Sequence, residues 1–124
     1  MVWLVVMAVY VANLNIEQGA NFKVSFNIED PGTNSPLSLV GYAASARLRK
    51  TYSSTGFTSF TTTVSDPLNG VITIALSHEE TAAIKAGRHV YDVIILSPIS
   101  SDPPNYTTRV VEGSAIVRPS ATRF

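Results

Sequence analysis

At 124 residues, 45% apolar and 15% charged, the chain is long enough for one ordinary core and too apolar to be disordered. Formal net charge is zero, so no overall field draws it toward nucleic acid or an anionic membrane surface. The absence of cysteine removes disulfides, zinc–thiolate centres and thiol catalysis together, and leaves stability to packing.

The chain opens MVWLVVMAVYVA, an unbroken apolar run with no charge before Glu17. A membrane-spanning helix needs about 20 apolar residues, more than this run supplies. A secretory signal needs a cationic start, and no Lys or Arg precedes Lys23. The β-branched and aromatic residues at positions 2, 5, 6, 9, 10 and 11 instead predict an extended strand. Such a strand is apolar on both faces, with Trp3, Val5 and Met7 facing one way and Val2, Leu4 and Val6 the other. One sandwich has little room for all of them. The expected division is a first strand near Val9–Ile16 inside a single domain of residues 9–124, and an apolar extension of residues 1–8 packed on a neighbouring subunit by strand addition. Met7 starts a second plausible N-terminus, so an over-long start over Met1–Val6 is the alternative.

Residues 21–30 alternate, with Phe22, Val24, Phe26 and Ile28 opposed to Asn21, Lys23, Ser25 and Asn27, the pattern of a half-buried strand. Turn residues follow in DPGTNSP. The stretch from Leu37 to Lys50 is again extended, with Ala44, Ala46 and Leu48 on the inner face and Ser45, Arg47 and Arg49 on the outer. A Thr-rich strand places Phe60, Thr62 and Val64 in one phase, and Asn69-Gly70 predicts a type I′ hairpin into Ile72, Ile74 and Leu76. The period then changes. Ser77 as N-cap, Glu80 three residues on and Gly87 as a stop predict one short helix, Glu79 to Ala86. Strand 88–96 follows, central, with Tyr91, Val93 and Ile95 in the core and Val90, Asp92 and Ile94 opposite. Residues 106–119 are the last strand, with a bulge predicted at Gly113, where the apolar phase shifts. About seven short strands and one helix predict an all-β fold, an immunoglobulin-like antiparallel β-sandwich. In that frame Tyr91 fits either a tyrosine corner or a core tyrosine with a solvated hydroxyl.

Chemistry-bearing residues are sparse. His78 and His89 have no metal-ligand spacing, and Glu79 and Glu80 do not face each other on a helix. Asp92 reads as a carboxylate paired with backbone or with arginine. The cluster Arg47, Arg49 and Lys50 reads as a solvated strand face, without the interleaved aromatics of a nucleic-acid groove. The Asn105-Tyr106-Thr107 sequon has no secretory signal beside it. No catalytic residue, metal or cofactor is expected.

Four segments carry a family resemblance: NIEQGANF at 15–22, LVGYAASARLRK at 39–50, GVITIALSHEETAAIKAGRHVYDV at 70–93 and TRVVEGSAIVRPSATR at 108–123. Together they resemble small structural proteins of tailed bacteriophages, in particular the N-terminal β-sandwich of baseplate and tail-fibre proteins. The resemblance implies a non-enzymatic virion protein of the tail or baseplate, made in the host cytoplasm and present in many copies or as a homo-oligomer. Its partners would be other virion proteins, with no nucleic acid and no membrane. The chain departs from that pattern at its start and lacks the receptor-binding module of longer relatives. Apolar residues on both faces of some strands agree with a part that works through interfaces, and Trp3, Val5, Met7, Val90 and Ile94 are the candidate interface residues. A capsid decoration or neck protein is the alternative within that class. A carbohydrate-binding sandwich on the particle exterior is the second class, with Tyr42, Tyr52, Phe57 and Tyr106 as candidate aromatics, and an enzyme ranks third.

Overall fold

Where apolar and polar residues alternate most cleanly, the chain forms the smaller of two sheets. The computed structural model describes residues 10–29, 35–98 and 106–121. The strands are β1 (Tyr10–Val11), β2 (Leu14–Glu17), β3 (Phe22–Asn27), β4 (Ala43–Arg49), β5 (Thr58–Ser59), β6 (Thr61–Asp66), β7 (Val71–Leu76), β8 (Gly87–Leu96) and β9 (Thr107–Arg118), with helix α1 (His78–Ala82) before β8. The smaller sheet has the order β3-β7-β6; the larger runs β1-β9-β8-β4-β5, with β2 also on β9. The fold is an all-β sandwich, as the alternation predicts. Trp3, Val5, Met7 and the rest of the extension lie outside the described residues.

One pairing differs from the expected antiparallel scheme. Both β1 and β2 lie parallel to β9, in register from Tyr10 opposite Val111 to Glu17 opposite Arg118. The chain crosses to the other sheet at Gly19, whose φ of 78° suits glycine, so β3 pairs with β7 and leaves the first strand to the edge of the larger sheet.

The core fills from both sheets. Leu14, Ile16, Leu48, Tyr91, Val93, Ile95 and Val117 of the larger sheet meet Ile72, Ile74 and Leu76 of the smaller, and all are buried. Phe60 joins the layers, its ring centroid 6.1 Å from Phe22 and 6.2 Å from Tyr91. At Phe60 the predicted Thr-rich strand divides: β5 pairs with β4, while β6 pairs with β7 in the other sheet. Strand β8 is central, as its apolar content requires, with Tyr91 and Val93 at 1% and 0% exposure.

Three local expectations are corrected. The helix ends at Ala82, not Ala86, although Ser77 caps it as predicted: Glu80 N donates to Ser77 Oγ at 3.2 Å and Ser77 N to Glu80 Oε1 at 2.9 Å. Ile84 must turn into the core, its amide bonds Thr81 O, and Gln18 Nε2 takes the Ile84 carbonyl at 2.7 Å, so no further helical turn forms. Gly87 is then the first residue of β8. The β6–β7 connection is a 3₁₀ turn over Pro67–Asn69, not a two-residue I′ hairpin. Pro67 sets right-handed φ there, and only Gly70 is left-handed, at φ 67°. A side chain on Gly70 would also meet Ile28 O at 2.5 Å and Leu37 O at 2.6 Å.

The β9 bulge falls at Val110, not Gly113. Val93 pairs with Val111 and Ile94 with Arg109, so Val110 is the extra residue, and both Val110 and Val111 are buried. Gly113 pairs regularly with Tyr91 and serves another purpose. A Cβ there would collide with the Ala12 carbonyl oxygen, where the first strand breaks between β1 and β2. Asn13 Oδ1 spans the break by accepting from Ser114 N at 3.2 Å.

Candidate functional site

Strand alternation sends every second residue of β4, β8 and β9 to the outer face of the larger sheet. The register sets them in rows: Arg47 opposite Asp92, Asp92 opposite Glu112, and Glu112 opposite Val11; beside that row, Ser45 lies opposite Ile94 and Ile94 opposite Arg109. Arg109 reaches this face only because of the bulge. Were Val110 an ordinary ladder residue, the alternation of β9 would point Arg109 inward with Val111; the bulge instead buries Val110 and turns the guanidinium out.

The charges are segregated across the face. Arg109 Nε lies 3.4 Å from Asp92 Oδ2, and Arg109 Nη1 3.3 Å from Glu112 Oε2, so one cation serves two acids on the β8–β9 side. On the β4 side, Arg47 stacks over the Phe57 ring with its guanidinium carbon 4.1 Å from the centroid, and Arg49 sits 5.0 Å from the same centroid. Arg49 is fixed further by donating to Ser54 O at 2.6 Å and Thr55 O at 3.3 Å. Arg47 forms no ion pair among the described residues. Between the two sides is a shallow concavity of about 200 Å³, lined by Arg47, Arg49, Tyr52, Val90, Asp92 and Arg109.

Of the expected interface residues, the structure brings Val90 and Ile94 together on this face, both half-buried, at the middle of the sheet. Asp92 is paired with arginine, as expected of it. Of the four candidate aromatics, Tyr52 and Phe57 flank the patch, 58% and 49% exposed. Tyr42 packs half-buried against the core, and Tyr106 stands before β9, at the Leu96 end of the strands rather than the Arg49 end. Glu112 and Arg109 were missed in the sequence, because their placement depends on a bulge that the apolar run Val110–Val111 signals only in retrospect.

The remaining polar side chains are used in the framework. His89 is buried, its Nε2 2.7 Å from Lys85 O. His78 is on the surface, with its amide donating to Asn21 Oδ1 at 2.8 Å. Thr81 Oγ1 accepts from Gly19 N at 3.1 Å and donates to Ala20 O at 2.9 Å, clasping α1 to the β2–β3 turn. Tyr91 is neither of the two alternatives expected of it. Its hydroxyl is not solvated but donates to Ala12 O at 2.5 Å, 79 residues away in sequence, at the break in the first strand. Burial, followed by the nearby Tyr52, pushes that hydroxyl up to about 12. Among the described residues no cluster of His, Asp and Glu could hold a metal ion, and no helix is long and apolar enough to cross a membrane.

No protein-family model matches the chain, and no curated protein is significantly similar to it. Among solved structures, it is similar to a cysteine protease inhibitor from Entamoeba histolytica, with a TM-score of 0.42 and 17% sequence identity, over 91% of this chain and 98% of that one.

Proposed function

We propose that the protein is a non-enzymatic structural component of a tailed-phage virion, in the tail or baseplate, and that it works through the outer face of its larger sheet. The observation that carries this reading is the placing of Val90 and Ile94, apolar and half-buried, along the central strand of a face whose charges are fixed on either side. Apolar side chains on the central strand, either side of an Asp92 that Arg109 neutralises, with charged groups at the flanks, suit a protein–protein contact. The phage assignment itself rests on the four sequence segments described above. Purified particles, decorated with an antibody to the chain and imaged by electron microscopy, test it. Label on the tail or baseplate is the expected result, and absence of the chain from particles overturns it. Val90→Lys and Ile94→Lys should fold normally by circular dichroism yet fail to incorporate.

A second reading is favoured by one further observation: exposed Tyr52 lines the concavity beside Arg47 and Arg49, and exposed Phe57 stacks against the same two arginines. That arrangement suits a sugar ring laid on an aromatic face, in a carbohydrate-binding sandwich on the particle exterior. Saturable binding on a glycan array, lost in Tyr52→Ala, would favour it over the first reading.

A further inference from the structure

We infer that the outer face of the larger sheet pairs with the same face of a second copy of this chain, about a two-fold axis running along β8. The inference rests on the reading of this face as an interface and supplies its partner.

The first argument is the width of the sheet. In the order β1-β9-β8-β4-β5, strand β8 has two strand positions on either side. An axis along β8 therefore lays one copy over the other across the whole face, with β4 over the partner's β9 and β5 over the partner's β1. An isologous contact needs a surface complementary to itself after that rotation.

The second argument is charge. The rotation places Arg47, which has no ion pair among the described residues, over the acidic side of the other copy, where Asp92 and Glu112 share the single Arg109. Both such contacts form at once, one on each side of the axis. The other simple two-fold, lying in the sheet plane across the strands, would set β4 over β4 and bring Arg47 to Arg47 and Glu112 to Glu112. Like charges facing each other select against it. In the favoured arrangement Asp92 meets Asp92 near the axis. Each is held by its own Arg109 and neighboured across the strand pair by Arg47, so two Arg47 and two Arg109 balance two Asp92 and two Glu112.

The third argument is the apolar complement. Val90 and Ile94 lie on β8 itself, so on the axis each meets its own counterpart. At the margins, Val11 of β1 is 72% exposed and would lie over the β5 edge, next to Phe57, which is 49% exposed. Burial at the centre supplies the association, and the charges choose the orientation.

Charge reversal tests this on the full chain. Sedimentation velocity from low micromolar to millimolar protein should show a concentration-dependent dimer. Arg47→Glu alone and Glu112→Arg alone should each weaken it by about tenfold or more, because each sets like charges together on both sides of the axis. An equimolar mixture of the two variants should dimerise again, since in the mixed pair both contacts are attractive: one is native and the other is reversed. Thermal melts of each variant confirm that the fold is intact, and Arg47→Gln provides a neutral comparison where reversal harms folding. Stronger dimerisation by Arg47→Gln, which would relieve Arg47 facing Arg47, would point to the crosswise axis and overturn the proposal. A monomer at every concentration, or no recovery in the mixture, would also overturn it. If the chain is monomeric yet Val90→Lys still blocks incorporation into particles, the second copy is excluded and the interface reading stands. If it dimerises but is absent from particles, the reverse holds.

Discussion

Tyr91 ties the first strand to the rest of the larger sheet through one hydroxyl, donated to a main-chain carbonyl at the break between β1 and β2. Its raised proton affinity has a defined sign. Below about pH 10 the phenol is neutral in both folded and unfolded chains, and its contribution to stability is complete. Between pH 10 and about 12 the unfolded chain ionises while the folded one does not, so that contribution is lost as pH rises. Urea unfolding of wild type and Tyr91→Phe should differ by about 1–3 kcal/mol at neutral pH, where the variant leaves the Ala12 carbonyl without its donor. The difference should narrow between pH 10 and 12. Gly113 guards the same place. Gly113→Ala drives a methyl group into the Ala12 carbonyl and should cost about 1–3 kcal/mol, read as a lower melting midpoint. Neither role was legible in the sequence, because Ala12 lies far along the chain from both.

At the scale of elements, the short helix shows a local rule and a tertiary limit side by side. Ser77 and Glu80 make both bonds of the capping box, which sequence spacing alone predicts. Ser77→Ala should cost about 1 kcal/mol, measured by thermal denaturation, with no effect on self-association. The far end of the helix is decided elsewhere, because Ile84 buries itself and Gln18 captures its carbonyl. In β9 the bulge at Val110 has the same character. Deleting Val110 would leave Arg109 directly before Val111, restoring unbroken alternation with Arg109 still on the outer face, so the variant should lose the buried Val110 side chain and melt lower while keeping the Asp92–Arg109 pair. Val93→Asp, at 0% exposure on the central strand, should abolish folding, checked by loss of the cooperative melt.

For the whole molecule, the first strand matters because it is parallel to the last. Leu14 and Ile16 are buried against the core at 6% and 0% exposure, although β2 is an edge strand. A chain starting at Met7 keeps every contact described here and should melt near the full-length midpoint, whereas one starting at Gln18 loses both anchors and should be unfolded by circular dichroism. The sequence by itself determined the sandwich, the inward faces of β3, β4, β7 and β8 and the start of α1. Those depend on the period-2 pattern and on capping, which act between residues close in the chain. The tertiary structure alone decided the parallel first strand, the crossing between sheets at Phe60, the use of Gly113 and the turning of Arg109 onto the outer face. Each of these is fixed by what a distant strand places opposite, and a carbonyl, a bulge or a sheet edge leaves no periodic mark on the segment that meets it.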